Sequence, residues 1–256
     1  MRASNHGELG LIVLSSCKEL GRLVDERILQ LRAEEDDDKS YLVPIEEVRF
    51  SNGEGKIKLL DSVRGKDIYI LCDVGNYSCE YTMFGRNHCM GPDEHFQDIK
   101  RVLSAIGGKA DRVTVIMPLL YASRQHKRKG RESLDCAMAL KELENLGVHA
   151  ILTFDVHDPT IHNAIPGTSF ENIFPTYSML KCFIANEGAN IKKDNMTVIS
   201  PDTGAMDRAI YYANTLGVDV GMFYKRRDHT VVVNGKNPIV QHEYIGGPLE
   251  NKKVLI

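Results

Sequence analysis

A chain of 256 residues is long enough for two domains of ordinary size, each with its own core. Its hydrophobic fraction of 43% and charged fraction of 26% are those of a soluble globular protein, and no apolar run is long enough to span a bilayer. The formal net charge of -3 gives no reason to expect nucleic acid or a membrane as a partner.

Cysteine usage and the start of the chain both favour a cytoplasmic location. The 6 cysteines are scattered without a Cys-x-x-Cys pair, which favours reduced thiols over a disulfide framework or a zinc site. The first residues are polar, and the apolar run from Leu11 to Leu14 is too short for a signal peptide. We therefore expect a cytoplasmic protein.

Hydrophobic periodicity predicts strands that alternate with helices along most of the chain. The predicted strands cover 11–14, 68–71, 113–118, 150–157, 197–199 and 218–223, and the predicted helices cover 17–32, 96–106, 134–146 and 205–216. The loops that follow the strands carry most of the candidate functional residues.

Several stretches between these elements have no clear periodicity. An acidic run at 34–38 is typical of a solvated loop. Asn52-Gly53 predicts a turn, and Asn-Gly by itself is a common hairpin signal. Segment 75–93 is an excursion rich in aromatic, cysteine and histidine residues. Segment 124–131 is the most basic stretch, and by itself it would be interpreted as a solvated loop.

Two polar residues lie at the carboxyl ends of predicted buried strands: His157 ends one strand, before Asp158-Pro159 stops it, and Asp202 lies on the first loop past another. In open α/β sheets ligands bind beyond the carboxyl ends of strands, so Asp202 lies where a cation or a sugar would be held. The amides of Gly204 and Ala205, near a helix start, would face the same crevice. A loop aspartate is as often only a cap, and a lone histidine is more often structural. An imidazole and a carboxylate at adjacent strand ends would nevertheless form an open divalent-cation site beside phosphates.

These two stretches carry a family resemblance that continues along most of the chain. Residues 152–157 (Leu-Thr-Phe-Asp-Val-His) and 200–204 (Ser-Pro-Asp-Thr-Gly) resemble the two magnesium-site motifs of the ribose-phosphate pyrophosphokinase, or PRPP synthetase, family. The resemblance implies that His157 and Asp202 bind Mg²⁺.

The ATP-binding motifs of that family also have counterparts here. The residues that match its adenine-binding segment are Phe50, Asn52, Gly53 and Glu54, with Asn52 in place of the more frequent aspartate. A flat apolar ring would stack on the base while an amide and a carboxylate read its edge.

Arg124 and Gln125 match an ATP-binding pair that precedes a mobile basic loop, which in the family closes over the triphosphate. The loop here is shorter and differs in sequence. Because of these differences, the sequence does not decide which of four basic residues contact phosphate: Lys127, Arg128, Lys129 and Arg131.

The basic cluster at 224–228 resembles the family's Lys-x-Arg motif. The resemblance implies that Lys225 and Arg227 are catalytic, with Arg227 holding ribose 5-phosphate. An ammonium supplies a compact charge, whereas a guanidinium can grip a phosphate with two parallel hydrogen bonds. The chain stops where the family continues with an Asp-Asp pair and a Thr-rich ribose-phosphate loop. We therefore expect a fragment of a longer protein, with weak or no activity by itself.

The implied fold is α/β, with two phosphoribosyltransferase-like domains whose mostly parallel sheets are flanked by helices. The predicted domains are 1–174, with the ATP motifs and His157, and 175–256, which would be incomplete. The implied reaction transfers the β,γ-diphosphoryl group of ATP to the 1-hydroxyl of ribose 5-phosphate, giving PRPP and AMP. Family members are homo-oligomers built from dimers, such as hexamers, and the adenine-binding segment serves a neighbouring subunit.

Two alternatives stay open at this point. The chain could be a non-catalytic subunit that assembles with an active PRPP synthetase and regulates it. Retention of His157, Asp202, Lys225 and Arg227 counts against a regulator, and the altered basic loop counts for one. A phosphoribosyltransferase that consumes PRPP would need the Thr-rich loop and would not explain the ATP motifs.

Overall fold

The computed structural model describes residues 7–32, 39–128, 130–187, 191–192, 194–227 and 239–256, without the side chains of 187, 225–227 and 239–242. The acidic run 34–38 and Lys129 lie outside this description. The chain divides into two compact units, Met1–Phe174 and Pro175–Ile256.

The first unit alternates strands and helices, as its hydrophobic periodicity predicts. In chain order the described elements are β1 (Leu9–Val13), α1 (Lys18–Arg32), β2 (Ile45–Arg49), β3 (Gly55–Leu59), β4 (Asp67–Leu71), β5 (Glu80–Met83), β6 (Arg86–Cys89), α2 (Pro92–Ile106), β7 (Arg112–Met117), α3 (Asp135–Asn145), β8 (Ala150–Phe154) and β9 (Ser169–Ile173). A parallel sheet runs in the order β1-β4-β7-β8-β9.

Alternate residues of these strands pack on opposite faces of the sheet, because side chains along a strand have a period of two. Ile12 and Ile70 belong to the larger core, which α2 and α3 cover with Ile99 and Leu140. Leu11 and its neighbours on the other face pack with residues of α1. Helices therefore cover both faces of a buried parallel sheet, which is the predicted architecture.

Two antiparallel hairpins, β2–β3 and β5–β6, lie outside the parallel sheet. The second one is the excursion at 75–93, for which the sequence predicted no regular structure. The first is fixed to α2 by Asp98, whose carboxylate pairs with Arg49 of β2 and with Arg101 Nη1 at 2.6 Å. The Asp98 side chain is only 7% exposed, so this ion pair lies in the interior.

The second unit contains a smaller sheet. Its described elements are α4 (Thr176–Glu187), β10 (Met196–Ser200), α5 (Met206–Leu216), β11 (Asp219–Arg227), β12 (Ile239–Ile245) and β13 (Lys253–Leu255). The strand order is β12-β11-β10-β13, with β10 parallel to β11 and β13, and β12 antiparallel to β11. Met196 and Val198 of β10 pack with Ala209 and Ala213 of α5. Both sheets are thus mostly parallel, which confirms the predicted fold class.

The prediction that the strand of the basic cluster ends at Phe223 is wrong. β11 continues to Arg227, because residues 224–227 pair with the antiparallel neighbour β12. The four additional residues were not predicted because β12, the edge strand with which they pair, has no hydrophobic periodicity of its own.

The cysteines are free thiols, as their spacing predicts. Burial raises the pKa of Cys17 and of Cys136 to about 12, so both stay protonated at neutral pH. Within the described residues, no helix is long and apolar enough to cross a membrane.

We expect Asp98→Ala to destabilise the first unit strongly, because it leaves Arg49 and Arg101 without their shared counter-ion in a mostly buried position. The predicted loss of unfolding free energy is about 3 kcal/mol. Urea unfolding followed by circular dichroism would measure it. Glu19→Ala, which removes part of an exposed helix-surface pair with Arg22, is the control and should cause no measurable change. If the Asp98 variant has the same urea midpoint of unfolding as the wild-type protein, the buried ion pair does not stabilise the unit.

Candidate functional site

A cleft of about 520 Å³ opens at the carboxyl edge of the first sheet. The loops after β4 and β7 form most of its wall, and the first residues of α2 and α3 complete it. Ligands of open α/β sheets bind at this edge, because the loops there converge beyond the strand ends. The cleft is lined by Val74, Gly75, Tyr77, Pro92, Asp93, Leu119, Leu120, Tyr121, Ala122, Ser123, Arg124, Gln125 and Asp135.

Tyr121 and Asp93 both line the cleft, and contacts within the protein hold their side chains in place. The Tyr121 ring stacks on Phe96, with centroids 4.3 Å apart and planes at 10°. Its hydroxyl donates a 2.7 Å hydrogen bond to Asp93 Oδ1. Burial, together with the carboxylate acceptor, raises the pKa of Tyr121 to about 12, so the phenol stays neutral. Asp93 was not predicted from the sequence, although an acidic residue directly after Gly91-Pro92 is a helix-start signal.

Arg124 and Gln125, predicted to bind ATP, both lie on this cleft with exposed side chains. Backbone hydrogen bonds hold the pair in place. The backbone N–H of Gln125 donates to Ala122 O at 2.8 Å, and its backbone carbonyl accepts from the backbone N–H of Cys136 at 3.4 Å. Ala122 has a positive φ of 53°, which turns the chain sharply before the pair. A hydrogen-bonded loop therefore holds the pair at the edge of the cleft.

The next two residues connect this loop to His157. The His126 ring lies 5.0 Å from the His157 ring, centroid to centroid, at an angle of 36°. His126 Nε2 is 3.0 Å from Asp158 Oδ2, and Lys127 Nζ is 3.4 Å from the same oxygen. His157 itself is exposed on the loop that follows β8, because the strand ends at Phe154 and not at His157 as predicted. The structure thus brings the predicted ATP-binding pair and the first predicted metal ligand into one continuous region.

Asp158 makes this connection, and from the sequence it was predicted only to stop a strand. Its Oδ1 accepts hydrogen bonds from the Thr160 hydroxyl at 2.6 Å and the Thr160 amide at 3.0 Å. These two bonds, with smaller contributions from Lys127 and His126, lower the pKa of Asp158 to about 2. It is therefore ionised at neutral pH. The signal in the sequence was Asp158-Pro159-Thr160, a capping pattern.

The predicted adenine-binding residues form the turn between β2 and β3, which we call the 50–54 turn. Phe50 N donates to Glu54 O at 2.8 Å, and Gly53 N donates to Phe50 O at 2.9 Å. The Asn52 side chain accepts from the Glu54 amide at 3.2 Å. The side chains of Phe50, Asn52 and Glu54 are exposed, with the Phe50 ring 48% accessible. An exposed aromatic ring on an ordered turn can stack on a flat ligand.

Asp202 lies on the loop after β10, where the sequence placed it. Its Oδ1 accepts hydrogen bonds from Gly204 N at 3.0 Å and Ala205 N at 3.2 Å. The carboxylate therefore caps the turn that leads into α5, and the amides predicted to face a ligand bond to Asp202 itself. This capping role is one of the two that the sequence left open, and it fixes the orientation of the carboxylate.

The expectation that His157 and Asp202 follow adjacent strands is wrong, because β8 belongs to the sheet of the first unit and β10 to the sheet of the second. The residues present fit a weakly coordinated Mg²⁺. An imidazole and a carboxylate are ordinary ligands of divalent cations, and both residues lie on loops after strands. Among the described residues, no group of three or more His, Cys, Asp or Glu side chains is close enough to hold a metal ion. Mg²⁺ commonly takes one or two protein ligands and fills the remaining positions with phosphate oxygens and water.

Lys225 and Arg227 lie on β11, where the backbone of Lys225 pairs with that of His242 in β12. Their side chains lie outside the described residues. Asp202 and these two backbone positions belong to the second unit, whereas the cleft, the 50–54 turn and His157 belong to the first.

Comparison with known proteins identifies the group to which these motifs belong. A family model described as the N-terminal domain of ribose phosphate pyrophosphokinase matches residues 9–147. A ribose-phosphate pyrophosphokinase from Ralstonia nicotianae is 27% identical over 218 residues, which cover 78% of this chain and 62% of the relative. One from Streptomyces coelicolor is 25% identical over 207 residues, covering 80% and 57%.

A solved structure supports the same fold. Phosphoribosylpyrophosphate synthetase from Mycobacterium smegmatis superposes with a TM-score of 0.67 at 23% identity, covering 86% of this chain and 65% of that one. The chain spans less than two thirds of the length of each of these relatives. Because the family model matches residues 9–147, more than half of the 256 residues, the chain belongs to the ribose-phosphate pyrophosphokinase family.

Proposed function

We propose that this protein is a ribose-phosphate diphosphokinase, which makes PRPP and AMP from ATP and ribose 5-phosphate. The 1-hydroxyl oxygen of the sugar attacks the β-phosphorus of ATP. The bond from that phosphorus to the bridging oxygen of the α-phosphate breaks, AMP leaves with the bridging oxygen, and the hydroxyl proton is released. Family membership and the names of the relatives support this reaction type.

One observation carries the proposal beyond family likeness. The segment from Arg124 to Lys127 lines the cleft at one end and contacts the His157–Asp158 loop at the other. A triphosphate that lies along this segment would have Arg124 near one part and the His157 imidazole near another. Phosphoryl transfer depends mainly on positioning and charge neutralisation, which this arrangement would provide.

The roles of the remaining ATP-binding residues follow from their chemistry. The Arg124 guanidinium would form charge-assisted bonds to phosphate oxygens, and the Gln125 amide would orient the nucleotide. Phe50 would stack on adenine, and the polar groups of Asn52, Gly53 and Glu54 would lie at the edge of the base. As in the family, the 50–54 turn is proposed to serve a neighbouring copy in a homo-oligomer built from dimers.

His157 and Asp202 are the residues that would hold Mg²⁺. Bound Mg²⁺ would neutralise phosphate charge and orient the phosphates for in-line attack. The Asp202 carboxylate is already oriented by two backbone amides, so little side-chain entropy would be lost on binding. Lys225 is proposed to stabilise charge on the transferred group, and Arg227 to hold the phosphate of ribose 5-phosphate. A cytoplasmic location is proposed with this activity, in keeping with the free cysteines.

Product analysis of the full-length natural protein tests the reaction directly. With ATP, ribose 5-phosphate and Mg²⁺ we expect PRPP and AMP in equal amounts, and with excess EDTA we expect neither. Formation of ADP and a doubly phosphorylated sugar would mean transfer of a single phosphoryl group. That result, or no turnover at all, would contradict the proposal.

Arg124→Ala should raise the KM for ATP, because it removes a charged donor from the cleft. We expect a rise of about 10- to 100-fold, the usual range for losing hydrogen bonds to a charged group. Arg64→Ala is a matched control, since Arg64 is an exposed arginine in the turn before β4, at the opposite edge of the sheet. If the two variants have the same KM for ATP, Arg124 does not bind the nucleotide.

His157→Ala should lower kcat by at least about 100-fold at saturating Mg²⁺, as expected for loss of a metal ligand at the reacting phosphates. The apparent affinity for Mg²⁺, measured from the dependence of rate on metal concentration, should fall as well. His162→Ala, at an exposed position in the following helical turn, is the control. Activity of the His157 variant within twofold of wild type would remove this residue from the site.

A further inference from the structure

The β5–β6 hairpin is absent from the proposed function, yet it is an ordered element with two different faces. Tyr81, Met83 and His88 point inward and are partly buried, whereas Thr82 and Asn87 are exposed. This alternation is that of a hairpin packed on the protein through one face. The hairpin therefore has a defined packing partner.

That partner is the 50–54 turn. The Phe84 amide at the hairpin tip donates a 2.9 Å hydrogen bond to Ser51 O. Met83 and Tyr81 lie directly against Gly53, where an added β-carbon would be 2.9 Å from the Met83 sulfur and 3.3 Å from the Tyr81 hydroxyl. Gly53 also has a φ of +92°, a backbone conformation that favours glycine.

The other end of the hairpin is fixed to α2 through Glu94. Tyr81 donates its hydroxyl hydrogen to Glu94 Oε1 at 2.6 Å, and His88 Nε2 lies 3.1 Å from Glu94 Oε2. Glu94 also accepts from the Gly91 amide at 2.9 Å, which caps the start of α2. The Arg49 guanidinium lies over the Tyr81 ring at 5.4 Å. Tyr81 thus contacts both the turn and the helix that borders the cleft.

We propose that the inward face of the β5–β6 hairpin positions the 50–54 turn for nucleotide binding, with Tyr81 and Met83 as positioning residues that set the affinity for ATP. This inference rests on the proposed role of that turn in binding adenine. Neither side chain touches the nucleotide. Both act through Gly53 and the backbone on either side of it.

The physical reason is preorganisation. An exposed five-residue turn that carries Phe50, Asn52 and Glu54 would sample several conformations if nothing packed against it, and ordering it would then weaken binding. The hairpin supplies packing on the side of Gly53 and a backbone hydrogen bond at Ser51. Loosening this support should weaken ATP binding, while the groups at the phosphates and the sugar keep their positions.

The test compares Tyr81→Phe, Met83→Ala and the double variant in the full-length protein. Each single change should raise the KM for ATP about 5-fold, and the double change about 10-fold or more, as expected for lost hydrogen-bond and packing contacts. The kcat and the KM for ribose 5-phosphate should stay within twofold of wild type. Met83→Leu should restore the wild-type KM, because it refills the space against Gly53.

Thr82→Ala and Asn87→Ala on the exposed face of the same hairpin are the controls and should change nothing. An unchanged KM for ATP in the double variant would overturn the inference. So would a parallel change in all three constants together with a lower melting temperature, because that pattern marks a general stabilising role.

Direct titration of ATP separates this inference from the proposed reaction. If the wild-type protein makes no PRPP but binds ATP, and the double variant binds it more weakly, the positioning role stands and only the reaction is wrong. If the wild-type protein does not bind ATP, the role of the turn and the inference both fall.

Discussion

Parallel pairing of β4, β7 and β8 is the constraint on which the candidate site depends. Parallel strands end at the same edge, so the loops after these three strands must converge there. The loop after β7 supplies Arg124 and Gln125, and the loop after β8 supplies His157. A buried core of branched side chains, such as Ile70 and Ile151, stabilises this pairing. The chemistry therefore lies on loops, whereas its geometry is set by the sheet.

Electrostatic contacts then fix those loops relative to one another. Asp158 is held ionised by its hydrogen bonds to Thr160, and it offers one carboxylate oxygen to both His126 and Lys127. Part of the basic segment is thereby neutralised within the protein. An anionic ligand would compete with Asp158 for Lys127, and Arg124 on the cleft side lies apart from this contact.

The sequence predicted the parallel core well, since β1, β7 and β8 are short runs of branched residues and α2 ends at Gly107, which adopts the left-handed conformation. It did not predict β12, which has no strong periodicity, and so it ended β11 too early. The β5–β6 hairpin was missed because its inward residues, Tyr81 and His88, pack through polar contacts. The importance of Asp158 could not be predicted, because it depends on a loop 31 residues away in the chain.

We propose that the Arg124–Lys127 segment brings ATP close to His157 and that this histidine binds the metal ion. A crystal structure of the full-length protein with ATP and Mn²⁺, with anomalous scattering used to locate the metal, tests it most directly. We predict Mn²⁺ bonded to the His157 imidazole and to phosphate oxygens of an ATP that Arg124 also contacts. A nucleotide and metal bound in a cavity that neither Arg124 nor His157 reaches would contradict the claim.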